Sequence, residues 1–375
     1  MNRKIFPYIL EDLNNKKMVF IAGPRQVGKT TLAKQIMEKF QNPLYFNFDH
    51  PEDRKNLIER NWKPENEILV FDEIHKWRNW KSWLKGIYDK EKDQHKILVT
   101  GSARMDVYRK GGDSLQGRYH HYRLNPFTFG ELTSQIQESF FSLLFERGGF
   151  PEPFLSKTNR NVKRWKKERM DRVVREDIFS LENLKSLFQL EILVDLLKDR
   201  VGSPLSIRSL AEDLSVSHPT VESWIRVLES MYVIFRVTPY SKKLNRAVKR
   251  EYKIYFYDWT EATSEGARLE NMVALHLLAS CNFKEDVEGE RSSLHFLKDR
   301  DGHEVDFLTT IDGKPTSLIE VKKSDTSPSR SLIYFHNKLN EKQCKSYQLI
   351  YDLKNEVLHH TIYILPMERY FSFEE

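Results

Sequence analysis

Residues 23–30 read GPRQVGKT and satisfy every fixed position of the pattern G-x-x-x-x-G-K-[ST]. The chemistry of phosphate binding accounts for each fixed residue. Gly23 and Gly28 let the backbone turn, so that the loop through Pro24, Arg25, Gln26 and Val27 aims successive N–H groups at phosphate oxygens. The start of the helix that follows adds its positive dipole end. Lys29 is placed to reach the β- and γ-phosphates, Thr30 to ligate Mg²⁺, and Thr31 continues the same turn. The ligands this pattern calls for are ATP and Mg²⁺.

A second segment, ILVFDE at 68–73, sets two carboxylates after four apolar residues. A buried strand tolerates consecutive acids only at its exposed end, and ligands collect at the carboxyl ends of strands in doubly wound sheets. Asp72 is therefore placed in the Mg²⁺ shell, and Glu73 is placed to polarise the water that attacks the γ-phosphate. In ILVTGSAR (97–104), Ser102 or Thr100 is placed to orient that water from a neighbouring strand. Arg104 and Arg118 are the next arginines downstream, and one of them is a candidate arginine finger supplied across a subunit interface.

Two further constellations carry chemistry. HEVDFL (303–308) and LIEVK (318–322) put Asp306 on one strand and Glu320 with Lys322 on the next. Residues two apart on a strand share a face, so Glu320 and Lys322 point the same way. Asp306 and Glu320 could chelate one divalent cation, with Glu270 as a further ligand and Lys322 stabilising an oxyanion or holding a water. Lys322 could instead neutralise Glu320 as a structural ion pair. Between these regions, 204–231 shows helix-turn-helix spacing. Helices are expected at 207–214 and 218–231, with Ser217 as N-cap, a core of Ala211, Leu214, Val216, Val221, Ile225 and Leu228, and a wing strand at 232–237. The second helix carries Glu222 and Glu229 against only Arg226, a poor composition for reading a major groove. The basic stretch after it, Lys242, Lys243, Arg246, Lys249 and Arg250, suits phosphate contacts that hold DNA without reading its sequence. A protein partner for the same winged segment is the competing reading.

The elements that position these residues follow from hydropathy. Strands are expected at 17–22, 44–48, 68–71 and 97–100, with helices at 32–40 and 77–89 among them, which makes a parallel, doubly wound α/β sheet. Helices dominate from 131 to about 200. Strands return at 252–257, 293–298, 304–310 and 317–322, after a helix at 269–280. The 375 residues suggest a P-loop core at 1–132, a helical lid and connector at 133–200, the winged-helix-like segment at 201–250 and a C-terminal α/β domain at 251–375. With 39% hydrophobic and 30% charged residues the chain has material for packed cores. The net charge of +6 permits a polyanion partner without requiring one. Two isolated cysteines, Cys281 and Cys344, exclude a disulfide framework and a cysteine-based zinc site, and suit a reducing cytoplasm. No run of 18 apolar residues occurs, so no membrane span is expected, and the N-terminus does not read as a signal peptide.

GPRQVGKTTL, VFDEIHKW, LVTGSAR and SLQGRYHHYRLNPFTFGEL together resemble the prokaryotic AAA+-type ATPases, and within them the group that carries a C-terminal DUF4143 domain. RGGFPEPF, KIYFYDW, LENMVALHLL, GHEVDFL and LIEVK extend the resemblance over nearly the whole chain. It implies ATP binding, Mg²⁺-dependent hydrolysis, a winged-helix-like segment and a restriction-endonuclease-like C-terminal fold, with Asp306, Glu320 and Lys322 at the positions of a PD-(D/E)xK core. It also implies a homo-oligomer, as a ring of about six. The functional expectation is an ATP-hydrolysing motor or switch acting on DNA. The alternatives are an ATP-dependent nuclease and a signalling ATPase that binds protein and no DNA.

Overall fold

The computed structural model describes residues 3–101, 115, 117–133, 140–173, 187–241, 252–339 and 343–374. Ser102, Arg104, Lys242, Lys243, Arg246, Lys249 and Arg250 lie outside the described residues. The chain forms two compact units. One is Met1–Asn125 with Ser230–Tyr232, and the other is Pro126–Glu229 with Val233–Glu375. The finer division expected at 200 and 250 is not marked by this split.

In the first unit, β1 (Met18–Ala22), β2 (Leu44–Asn47), β3 (Ile68–Asp72), β4 (Lys96–Gly101) and β5 (Tyr119–Arg123) form a sheet in the order β2-β3-β4-β1-β5. Every pairing is parallel. MVFIA and ILVFD are buried at all five positions, as a parallel strand covered on both faces must be. Phe20, Phe71, Trp80, Leu84 and Ile87 anchor one core, with Trp62, Trp77 and Trp83 packed against it. Phe71 is fully buried, which contributes about 1.5–3 kcal/mol. The register sets Asp72 beside Thr100 and Ala22 beside Gly101, so β1, β3 and β4 end together.

Two elements differ from expectation. The helix after the glycine-rich loop starts at Lys29, which places Lys29 and Thr30 in its first turn. β5, with the sequence YHHYR, was not anticipated. It pairs with β1 at the sheet edge, where only His121 and Tyr122 are buried, so an apolar run is not required.

The second unit holds a mixed sheet. Its strands are β6 (Ile234–Pro239), β7 (Lys253–Phe256), β8 (Ser292–Lys298), β9 (Glu304–Ile311), β10 (Lys314–Lys322), β11 (Lys345–Ile350), β12 (Val357–His359) and β13 (Ile362–Pro366), in the order β12-β13-β11-β10-β9-β8-β6-β7. The nineteen-residue helix Glu265–Phe283 begins at Ser264, whose side chain accepts the Ala267 N–H. Helices Ile207–Asp213 and His218–Ser230 form the expected pair. Ser206 and Ser217 cap them, and Ala211, Leu214, Val221, Ile225 and Leu228 are buried.

The expected wing strand, β6, belongs to the sheet instead. It pairs antiparallel with β7 and meets β8 at Thr238 and Pro239, because Phe235 and Val237 bury with Ile254 and Phe256. The two glutamates of the second helix, Glu222 and Glu229, also find partners. Glu222 accepts from Arg236 Nη1 at 3.0 Å and from the Tyr252 hydroxyl at 3.1 Å. Glu229 pairs with Arg236 Nη2. They face β6 and not a groove.

Arg236 thus bridges two half-buried carboxylates. Arg236→Met is expected to lower unfolding stability by about 1–3 kcal/mol. Chemical denaturation checks this, and an unchanged midpoint would contradict it.

Candidate functional site

The glycine-rich loop leaves β1 at Ala22 and ends on Gly28, which has φ 102° and leads directly into the helix at Lys29. Gln26 is also left-handed, with φ 65°. Gly23 is required for a steric reason. A Cβ there would lie 2.3 Å from the Leu124 carbonyl oxygen, a backbone atom that cannot rotate away. Gly23, Pro24, Val27 and Lys29 are buried, Arg25, Gln26, Gly28 and Thr30 half-buried, and Thr31 exposed. Lys29 Nζ donates to the carbonyls of Gly23 at 2.9 Å and Pro24 at 2.8 Å, which holds the ammonium over the loop where phosphate oxygens would compete for it.

Asp72 is 4% exposed and fully engaged. Its Oδ2 accepts from Thr30 Oγ1 at 3.0 Å and from the Tyr45 hydroxyl at 2.6 Å, and its Oδ1 accepts from Thr100 Oγ1. Three hydroxyls, from the first turn of the helix and from β2 and β4, therefore fix one carboxylate. Thr100, one of two candidates for orienting water, is committed to Asp72 here. Tyr45 went unnoticed in the sequence because no motif singles out a tyrosine in LYFN. Burial, then the Asp72 hydrogen bond, pushes its phenol well above the ordinary tyrosine range.

Glu73 follows in a left-handed conformation, φ 58°, and its N–H donates to Thr100 O at 2.9 Å. Burial raises its carboxyl above the usual range, while Lys29 and Lys76 oppose that rise. His75 Nε2 and Lys76 Nζ each lie 3.6 Å from Glu73 Oε2, and Lys76 is held by Asp49 at 2.5 Å. The donor set suits a nucleotide with Mg²⁺. It offers a phosphate loop, a cation over it, a hydroxyl beside a carboxylate, and a buried second carboxylate one residue on.

Arg118 is elsewhere. It precedes β5, and its carbonyl accepts the Met18 N–H at the opposite end of β1 from the loop. Five strand residues separate the two ends, roughly 16 Å. Its guanidinium grips Asp89 through Nε at 2.7 Å and Nη2 at 3.2 Å. Arg118 cannot serve the site of its own chain, so any role there needs a second copy.

In the second unit, the Phe307–Ile319 pairing sets Asp306 opposite Glu320. Asp306 Oδ2 accepts the Val321 N–H at 2.8 Å, and Lys322 Nζ meets Glu320 Oε1 at 2.8 Å. Glu270 accepts from the Tyr255 hydroxyl at 2.6 Å. Lys253, which the sequence reading passed over, stands among these acids. It is 1% exposed, with Nζ 2.7 Å from Glu304 Oε1 and 3.4 Å from Glu270 Oε1. The signal was there in the two-residue spacing of Lys253 and Tyr255, which places both on one face of β7.

Glu270, Asp306 and Glu320 do not gather as a three-ligand set. Among the described residues, the cluster whose ligand atoms lie within 4.8 Å of one another is Asp299, Asp301 and His303, at the surface turn before β9. A buried ammonium among the acids fits a structural charge network better than a cation cage. Burial, then the charge of Asp306, pushes both Glu270 and Glu320 up to about 7. Glu320 Oε2 is buried with no hydrogen-bond partner of ordinary geometry, although the Ser329 hydroxyl is near enough to favour the charged form slightly.

This first sheet, with its phosphate loop and carboxylate strand, is a P-loop NTPase fold, and the match to an AAA domain covers most of the unit that holds it. Residues 15–133 match the family described as AAA domain, residues 138–260 a domain of unknown function (DUF8612), and residues 265–370 a domain of unknown function (DUF4143). An uncharacterised protein of Mycobacterium tuberculosis is 23% identical over 343 residues, covering 85% of this chain and 74% of that one. An uncharacterised protein of Methanocaldococcus jannaschii is 25% identical over 350 residues, covering 76% and 72%. Among solved structures, a RuvB variant of Thermotoga maritima aligns over 62% of this chain and 88% of its own, with 19% identity and a TM-score of 0.35. No helix among the described residues is long and apolar enough to cross a membrane.

Two outcomes follow. Gly23→Ala is expected to cost about 1–3 kcal/mol by overpacking and to weaken nucleotide binding at the same time. A thermal melt and a fluorescent ATP analogue test both, and a well-folded variant with normal binding would contradict the close approach. For the acid cluster, folded-state pKa values above the unfolded ones give stability that is present at low pH and lost as pH rises through about 7. Glu320→Gln, which mimics the protonated form, is expected to melt near the parent at pH 5 and above it at pH 8. A pH-independent difference would show that Glu320 is not strained in its charged form.

Proposed function

We propose that the protein binds ATP with Mg²⁺ and hydrolyses it, with Glu73 as the base that orients the attacking water. The observation that carries this is the joint ending of β1, β3 and β4, which brings the Lys29 ammonium, the Thr30–Asp72 hydrogen bond and the buried Glu73 carboxylate to one edge of the sheet. Lys29 and the loop bind the phosphates, and Thr30 and Asp72 would hold the cation, which when bound neutralises charge on the β- and γ-oxygens. Glu73 accepts the proton of the attacking water.

A finger in trans completes the site. Arg118 is out of reach of its own loop but lies at the surface of the sheet's far end, which supports a homo-oligomer in which it meets a neighbour's γ-phosphate. The ATPase acts as a motor or switch on DNA, a partner that the excess of lysine and arginine supports. Cleavage of DNA at the C-terminal acids is not part of this reading, because Lys253 is ion-paired with Glu270 and Lys322 with Glu320.

Lys29→Ala is expected to abolish both nucleotide binding and turnover. Glu73→Gln should bind ATP normally while turnover falls by about 10²–10⁴-fold, the range for losing a general base. Steady-state phosphate release with purified protein distinguishes them, and unchanged turnover in Glu73→Gln would move the base elsewhere. Arg118→Ala should keep ATP binding and lose turnover only under conditions where the parent assembles, which light scattering and phosphate release read together. Normal turnover by an assembled Arg118→Ala protein would remove the arginine from the site.

A further inference from the structure

Residues 157–172, reading KTNRNVKRWKKERMDR, hold eight cations and two acids, a net +6. The whole chain is +6, so everything outside these sixteen residues balances to zero. The helix Asn159–Asp171 in the second unit carries six of these cations and both acids, a net +4, and Lys157 and Arg172 flank it.

The helix is strongly two-sided. Val162, Trp165 and Arg169 are buried, and the Arg169 guanidinium stacks over the Phe150 ring at 4.1 Å. At 100° per residue the opposite face carries Arg160, Lys163, Arg164 and Lys167, all exposed, along roughly 10 Å of axis. Lys157 extends the row from just before the helix. Lys157, Arg160, Lys163 and Lys167 have no ion pair or hydrogen-bond partner among the described residues, while Arg164 lies 3.6 Å from Glu168. Arg160 with Arg164 and Lys163 with Lys167 are like charges at i,i+4, an arrangement that destabilises a helix and that a solvated surface has no reason to keep. A shallow groove at the foot of this face is lined by Ser156, Lys157, Asn161, Arg164 and Trp165, with Glu152 and Glu168 also bordering it.

We infer that the outer face of this helix docks on the phosphate backbone of duplex nucleic acid. A straight row of cations on a rigid helix neutralises phosphates without reading bases. Among the described residues the face presents no exposed aromatic ring on which unpaired bases could stack, which favours a duplex over a single strand. The inference rests on the DNA-acting reading above for its class of partner, and names a surface distinct from the basic stretch at 242–250.

The test is fluorescence anisotropy of a labelled duplex with the full chain, without nucleotide, over a range of salt. Single strand and anionic phospholipid vesicles serve as parallel arms. About four phosphate contacts predict a log–log salt slope near −3.6, at about −0.9 per phosphate. Lys163→Glu/Lys167→Glu should weaken duplex binding on the order of tenfold or more and flatten the slope by about 2. The equally charged control Lys63→Glu/Lys345→Glu, at exposed positions outside this helix, should bind as the parent does. Arg160→Ala/Lys163→Ala, a milder change, should fall between, and all variants should keep the parent's melting temperature and ATP turnover. If the parent binds duplex and the helix variants bind equally well, the surface is wrong while DNA remains the partner. If the parent binds no nucleic acid, the DNA-acting reading fails together with the surface. Tighter binding to single strand or to vesicles would overturn the duplex assignment.

Discussion

A carboxylate at the end of a wholly apolar strand must find its hydrogen-bond partners on other elements. Asp72 does this with hydroxyls from three directions, Thr30, Tyr45 and Thr100. The cost of burying a charge without partners makes this arrangement restrictive. β2, β3 and β4 have to be in register, and the phosphate-loop helix has to begin at Lys29, for the three donors to reach one side chain. The site and the parallel sheet are therefore one constraint.

That constraint also separates the two carboxylate systems in the chain. At Asp72 and Glu73 the acids sit beside a loop built to accept an anionic ligand with its own cation. In the second unit the acids are served internally, by Lys253, Lys322 and the Tyr255 hydroxyl. Sequence spacing alone makes the two look alike, since both place acids on strands among apolar residues. The difference is Lys253, 53 residues before Asp306 and brought in by strand pairing.

The phosphate loop and the carboxylate strand were legible because their chemistry is local, with each residue's role following from its neighbours in sequence. The helix cap at Ser217 was legible for the same reason. β5 was not, since an edge strand with two histidines lacks the apolar run that marks its interior neighbours. The fate of Glu222 and Glu229 depended on Arg236, on a strand that the sequence presented as a wing. β11, β13 and the helix Arg330–Leu339 were missed because KSYQLI and IYILP are short and stand among polar loops. In each case the deciding partner is distant in the chain.

The claim that Asp72 is the metal-holding carboxylate of an ATP site is tested most directly by the Mg²⁺ dependence of nucleotide affinity. Binding of a non-hydrolysed ATP analogue is measured by calorimetry in Mg²⁺ and in EDTA, for the parent and for Asp72→Asn. The parent should bind more tightly with Mg²⁺, and Asp72→Asn should bind with similar affinity in both. An undiminished Mg²⁺ enhancement in a folded Asp72→Asn protein would contradict the account.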